Sequence, residues 1–113
     1  MVSLTRRVSI LATLAGLALA LPQAAHAADA ELLNTLRAGG NVVLVRHGAT
    51  FTNQADTDPF HLDNIEAQRK LNDKGQATAK SFGEALRGAG IPIGQVYTSR
   101  FNRVYQTATL AGF

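Results

Sequence analysis

The chain has 113 residues, no cysteine, and 11 Lys and Arg against 8 Asp and Glu, a formal net charge of +3. The missing cysteines exclude a disulfide framework and a lipidated-cysteine anchor. The small charge surplus, with no basic stripe interleaved with aromatics, gives no footprint for a nucleic-acid partner.

Arg6 and Arg7 open the chain, Val8–Leu21 is an uncharged Ala/Leu-rich run, and Pro22 is followed by Ala25-His26-Ala27. That order predicts a secretory signal over residues 1–27, cut after Ala27, and therefore a secreted, periplasmic protein. The apolar run falls short of the roughly 20 residues a bilayer needs, which argues against stable membrane insertion. The paired arginines fit general or twin-arginine export, although Ser9 stands where the latter pattern wants a bulky residue. Residues 28–113 then form the domain, with nine basic and eight acidic side chains. A domain of that size buries only about 60–65% of its unfolded surface.

Asp29 can cap a short helix over Ala30–Ala38, with Leu32, Leu33 and Leu36 as its core face and Gly39-Gly40 as its stop. Val42–Val45 is a continuous apolar run, the signature of a strand covered on both faces. Residues 48–70 show no period and read as a long loop with a helical turn near Ile65–Arg69; loops of that length are functional or mobile. Asn72 reads as the N-cap of a helix over Asp73–Arg87, whose apolar face is Ala79, Phe82, Leu86 and Ala89. A second strand follows at Gln95–Thr98. Ser99 then caps a last helix with an apolar stripe of Phe101, Val104, Tyr105 and Ala108, and Tyr97 and Tyr105 read as packing residues.

Two strands joined by a loop and a helix predict a right-handed βαβ unit and an α/β fold. Two strands make an unstable sheet, and the helical pattern still runs at Phe113. The chain is accordingly expected to be the front part of a larger domain, cut after its first βαβ portion. Ligands of such sheets bind beyond the carboxyl ends of the strands. Arg46, His47 and Gly48 sit at one such end, and Ser99 and Arg103 just past the other. Two guanidiniums, a glycine that lets backbone approach and a helix N-terminus suit a tetrahedral oxyanion. Flanking arginines disfavour the imidazolium, so His47 presents a ring nitrogen with a lone pair. Against a clamped phosphorus that nitrogen is a nucleophile.

"RHG" at Arg46–Gly48, "LNDKGQATA" at Leu71–Ala79 and "TSRFNRVYQTA" at Thr98–Ala108 resemble, in order and spacing, the histidine phosphatase superfamily of phosphoglycerate mutase-like and acid phosphatase enzymes. Ser99, Arg103, Gln106, Thr107 and Ala108 match its S-x-x-x-R-x-x-Q-T-A block. The resemblance implies a three-layer α/β fold with a mostly parallel sheet and hydrolysis of a phosphomonoester through a phosphohistidine on His47. It further implies phosphate binding by Arg46, Gly48 and Arg103, with Asn53 brought in by the R-H-G-x-T-x-x-N version. The substrate would be a phosphorylated small molecule or a phosphoprotein, with no metal and no cofactor. Gln68 and Arg69 match a stretch found in secreted bacterial members and receive no role.

The family's second histidine and its proton-donating acid have no counterpart after Arg103. His26 lies in the leader, and His61 is misplaced in the order. Asp56, Asp58, Asp63 and Glu66 are loop acids whose position alone assigns none of them, so the general acid is left open. Asn53 reads equally as a turn residue. The alternative to an enzyme is a non-catalytic phosphate- or anion-binding module, or a fragment that does not fold. An edge left unpaired by half a sheet would favour the last.

Overall fold

The computed structural model describes residues 23–113, with side chains from Asp29 onward, so the expected leader core at Val8–Leu21 lies outside the described residues. The order of elements is α1 (Gln23–Ala38), a 3-10 turn (Ile65–Ala67), α2 (Asp73–Gly88) and α3 (Asn102–Ala111). The chain divides into two compact units at Leu32, within α1, and the unit from Leu33 to Phe113 carries α2, α3 and every candidate site residue. Among the described residues no helix is long and apolar enough to cross a membrane.

Helix α1 starts at Gln23, so Asp29 lies inside it rather than at its cap, and it runs across the expected cleavage point after Ala27. Glutamine and alanine are good helix formers and need no cap at Asp29 to propagate. The helix stops where expected, with Gly39 and Gly40 at φ of 77° and 73°, a region that glycine enters without Cβ strain. Its apolar face is no core: Leu32 is exposed, and Leu33 and Leu36 are half-buried.

Neither expected strand is present among the described residues. Val42 and Leu44 are each 97% exposed, Val43 and Val45 about half, and Val96 and Tyr97 are exposed as well. A strand exists through hydrogen bonds to a neighbour, and these two segments supply none to each other. An apolar run fixes which side chains seek burial without providing that partner. Among the described residues pairing is confined to one isolated antiparallel bridge, Thr50 to Leu71.

Helix α2 matches expectation. Asn72 sits before it in an extended conformation and its side chain accepts from the Gly75 N–H at 2.9 Å. Gly75, Ala79 and Gly83 are its buried residues, one every fourth position. Helix α3 buries a similar row, Arg103, Thr107 and Ala111, which is not the stripe its apolar residues outline. Rows of that spacing are the ridges along which helices interlock. The contact is close at Gly83, where any Cβ would overlap the Ala111 carbonyl. Arg87 Nη1 donates to the same carbonyl at 2.6 Å, and Phe82 meets Phe113 edge-on with centroids 6.3 Å apart. Tyr105 stays largely exposed on the other side of α3.

Ser99 does not cap α3. The cap position is Phe101, with no side-chain hydrogen bond, and the free Asn102 N–H donates instead to Gln68 Oε1 at 2.8 Å. A side chain from the loop thus does what the local hydroxyl was expected to do.

Gly83→Ala should therefore destabilise the protein by about 1–3 kcal/mol in urea unfolding, because overpacking against backbone outweighs the helix-propensity gain. Gly88→Ala is its control. Nothing lies within 4 Å of a Cβ there, so it should be neutral or stabilising by up to about 1 kcal/mol.

Candidate active site

The segment carrying His47 is held by hydrogen bonds on both sides. His47 Nδ1 lies 2.8 Å from the Gly48 carbonyl oxygen. An oxygen can only accept there, so Nδ1 carries the hydrogen and the neutral ring keeps its lone pair on Nε2. The Gly48 N–H donates to Thr107 Oγ1 at 3.2 Å, and the Thr107 hydroxyl donates to the Arg103 carbonyl at 2.7 Å. Two blocks 59 residues apart are joined by this relay.

On its other side the segment lies on the start of α2. A Cβ at Gly48 would stand 2.6 Å from the Gly75 carbonyl oxygen. The Asn72 N–H donates to Ala49 O at 3.0 Å, and Asn72 Nδ2 donates to Thr50 O at 3.1 Å. The Phe51 N–H then reaches Lys70 O at 3.2 Å. Glycine at position 48 is required by this approach, independently of any ligand.

Arg103 is buried, at 8% exposure. Its Nη1 and Nη2 donate to Asp56 Oδ1 and Oδ2 at 2.9 and 3.1 Å, and its Cζ lies 4.3 Å from the centre of the Phe101 ring. Asp56 Oδ1 also accepts the Arg69 N–H at 2.9 Å. The Arg69 backbone N–H holds the Asp56 carboxyl below the ordinary aspartate range. Partial burial opposes this, while the Arg103 hydrogen bond and the charges of Arg103 and Arg69 reinforce it. The Nε–H groups of Arg69 and Arg103 are buried without a partner.

The other candidates stand apart from this cluster. Arg46 and Asn53 are exposed, Asn53 within a turn, and neither forms a hydrogen bond or ion pair with His47 or Arg103. Three of the four loop acids are taken up elsewhere on the surface: Asp58 by His61 at 2.6 Å, Asp63 by Arg100 at 3.2 Å, and Glu66 by Lys70 at 2.6 Å. Asp56 alone is tied to a candidate site residue. Among the described residues no group of three or more His, Asp or Glu is arranged to hold a metal ion.

Two residues that the sequence singled out without a role acquire one. Gln68, left without a role, is 4% exposed and ties the loop to α3, donating to Leu62 O at 2.7 Å while accepting from Asn102. Thr107 links Gly48 to Arg103. Its position four residues after Arg103, on the same helix face, is the signal that could have found it.

Comparison with known proteins identifies the family. The family model for the histidine phosphatase superfamily (branch 1) matches residues 42–113, and the chain belongs to that superfamily. Membership implies an α/β fold of the phosphoglycerate mutase-like kind and, at the level of the family, phosphoryl transfer through a phosphohistidine. The chain is 37% identical over 70 residues to a phosphoglycerate mutase of Candida albicans, covering 62% of this chain and 26% of that protein. It is 35% identical over 72 residues to a 2,3-bisphosphoglycerate-dependent phosphoglycerate mutase of Corynebacterium diphtheriae, covering 64% and 27%. The chain thus spans about a quarter of the length of the curated relatives it matches. No solved structure matches it significantly.

Asp56 sets a pH dependence. A carboxyl whose folded pKa is depressed contributes stability that is fully present above its unfolded value, ordinarily near 3.8, and that is lost as pH falls through the folded value. Wild type should therefore be more stable than Asp56→Asn at neutral pH. The gap should close as the pH is taken below about 3.8. Urea midpoints of the two proteins, measured from pH 7 downward, check this.

Proposed function

We propose that this protein is an exported phosphomonoester hydrolase that works through a phosphohistidine on His47. The observation that carries the proposal is the relay from Gly48 through Thr107 to Arg103, because it joins the block bearing a nucleophilic imidazole to the block bearing a buried guanidinium. Nε2 of His47 attacks phosphorus; the N–P bond forms as the bond to the leaving oxygen breaks, and that oxygen takes up a proton. Water then attacks phosphorus, the N–P bond breaks, and orthophosphate leaves with the imidazole restored. Arg103 and Arg46 stabilise the equatorial oxygens in both steps, the Gly48 backbone allows the phosphoryl group to approach, and Asn53 adds a contact. Splitting the displacement in this way requires no metal and no cofactor. The substrate is a phosphorylated small molecule or a phosphoprotein, and the acid that protonates the leaving oxygen is unassigned.

The names of the curated relatives favour a second reading, a mutase, in which phospho-His47 passes its phosphoryl group to a bound hydroxyl instead of water. Export argues for the hydrolase, since a glycolytic substrate is cytosolic. A non-catalytic anion-binding module would keep the arginines and form no covalent intermediate.

Brief exposure to a radiolabelled phosphomonoester should leave an acid-labile, base-stable label on His47. His47→Ala should lose the label and at least about a thousandfold in rate. Full activity in that variant would sink the mechanism, and phosphate binding without any label would favour the module. Release of orthophosphate, against its reappearance on a second hydroxyl, separates hydrolase from mutase.

Export has its own test. Mass spectrometry of the protein recovered from a bacterial periplasm should find a mature chain beginning at Ala28. Retention of residues 1–27 on a cytosolic product would refute the leader.

A further inference from the structure

We propose that Asp56 is the positioning residue for Arg103: its carboxylate fixes the guanidinium in one orientation at the site and acts on a bound phosphoryl group only through that arginine. The proposal rests on the phosphohistidine reading of the site and adds to it a residue that the nucleophile and its arginines do not account for.

Three observations converge on it. First, the carboxylate is held independently of Arg103. Its Oδ1 accepts the Arg69 N–H, and the adjoining Thr57 sends both its N–H and its hydroxyl to the Ala67 carbonyl, at 2.8 and 3.3 Å. The acid is fastened to its own loop before it meets the helix. Second, its two oxygens take one N–H each from Nη1 and Nη2. A fork gripped at two points cannot swivel, which a single contact would permit. Third, the guanidinium carbon lies over the Phe101 ring, which closes off one side of the group. Together these constrain the plane of the group as well as its position.

The arrangement also argues against two other roles for the same carboxyl. The charged groups facing Asp56 are Arg69 and Arg103, both cationic. With the Arg69 N–H bound to Oδ1 and these cations beside it, the carboxyl stays ionised at neutral pH and has no proton to give a leaving group. Nor is it a surface acid that drifted onto an arginine, because the other three loop acids each found a partner in the exposed rim. Removing the carboxylate would strand a buried cation, whose guanidinium would then turn towards water or towards another anion.

Asp56→Asn is the discriminating change. Its amide oxygen can still accept from Arg69, while the negative charge and the second acceptor are lost. On the purified full-length protein, the dissociation constant for inorganic phosphate and the KM for p-nitrophenyl phosphate should both rise about tenfold. In an Arg103→Lys background the same change should add less than about twofold, because a residue acting only through Arg103 has nothing left to orient. A purely structural role would lower kcat in proportion to the folded fraction and leave KM unchanged, and that result overturns the proposal. Tighter phosphate binding would overturn it too, since Asp56 would then be a competitor for the fork. If Asp56→Asn does not unfold cooperatively, Asp56→Glu takes its place. It keeps the charge but displaces the oxygens, so KM must still rise, and a wild-type KM refutes positioning. His47→Ala, assayed alongside, separates the two levels. Undiminished activity there overturns the phosphohistidine reading. Loss of activity there, with an unchanged KM in Asp56→Asn, overturns only the role of Asp56.

Discussion

Backbone meets backbone where residues 48–50 cross the first turn of α2, and the position of His47 depends on that contact. Gly48 and Gly75 face each other with no room for a side chain on either: a Cβ on Gly48 would press on the Gly75 carbonyl, and one on Gly75 would overlap that of Ala49. Asn72 closes the junction with three hydrogen bonds of its own, to the Gly75 N–H, the Ala49 carbonyl and the Thr50 carbonyl. A residue read from sequence as a helix cap is therefore also the clamp on the neighbouring chain. The imidazole inherits its place from this junction, and the Gly48 N–H is left pointing at α3, where Thr107 receives it.

Polar groups carry much of what surrounds that junction. Among the described residues the buried apolar side chains are few, namely Leu71, Ala79, Ile91 and Ala111, two of them alanines, while Gln68, Arg103 and Thr107 are buried beside them. Apolar contact is tolerant of direction, whereas a buried amide or guanidinium is satisfied in only a few geometries and is costly anywhere else. Gln68 illustrates the consequence. Its amide spends its donor on Leu62 and its acceptor on Asn102, so the loop and the start of α3 can be placed in only one way relative to each other. Polar burial of this kind contributes little net free energy per bond but narrows the set of competing arrangements.

The parts legible in the sequence were those set by local rules. Asn72 and the glycines after α1 act through their own backbone neighbourhood, and α2 appeared where its cap and period put it. The helical turn near Ile65 was also visible. Other elements failed because their outcome is decided by a partner far along the chain. Val42–Val45 and Gln95–Thr98 have the composition of strands but no ladder to join. Ser99 lost the cap of α3 to Gln68, thirty-odd positions upstream, which no local pattern could announce. At the site, the three motif blocks were found in register, and Gly48 and Arg103 are indeed linked through Thr107. Arg46 and Asn53, drawn in by the same blocks, sit in solvent.

Arg103 shows most clearly why the remainder was hidden. Apolar spacing turned Phe101, Val104, Tyr105 and Ala108 inward, yet α3 buries the row of Arg103, Thr107 and Ala111, about a quarter-turn away. A cation can occupy a buried row only if an anion meets it there, and hydrophobic periodicity counts every arginine as solvent-facing. The anion comes from Asp56, 47 residues earlier and on the far side of α2 in the chain. This gives the unpatterned stretch between Gly48 and Lys70 a physical purpose. It must leave the His47 tip, carry a carboxylate to a helix not yet begun, and return to Asn72 in time to start α2. Charge neutrality at one buried guanidinium thus asks for a carboxylate at this point of the loop, and no apolar period announces it.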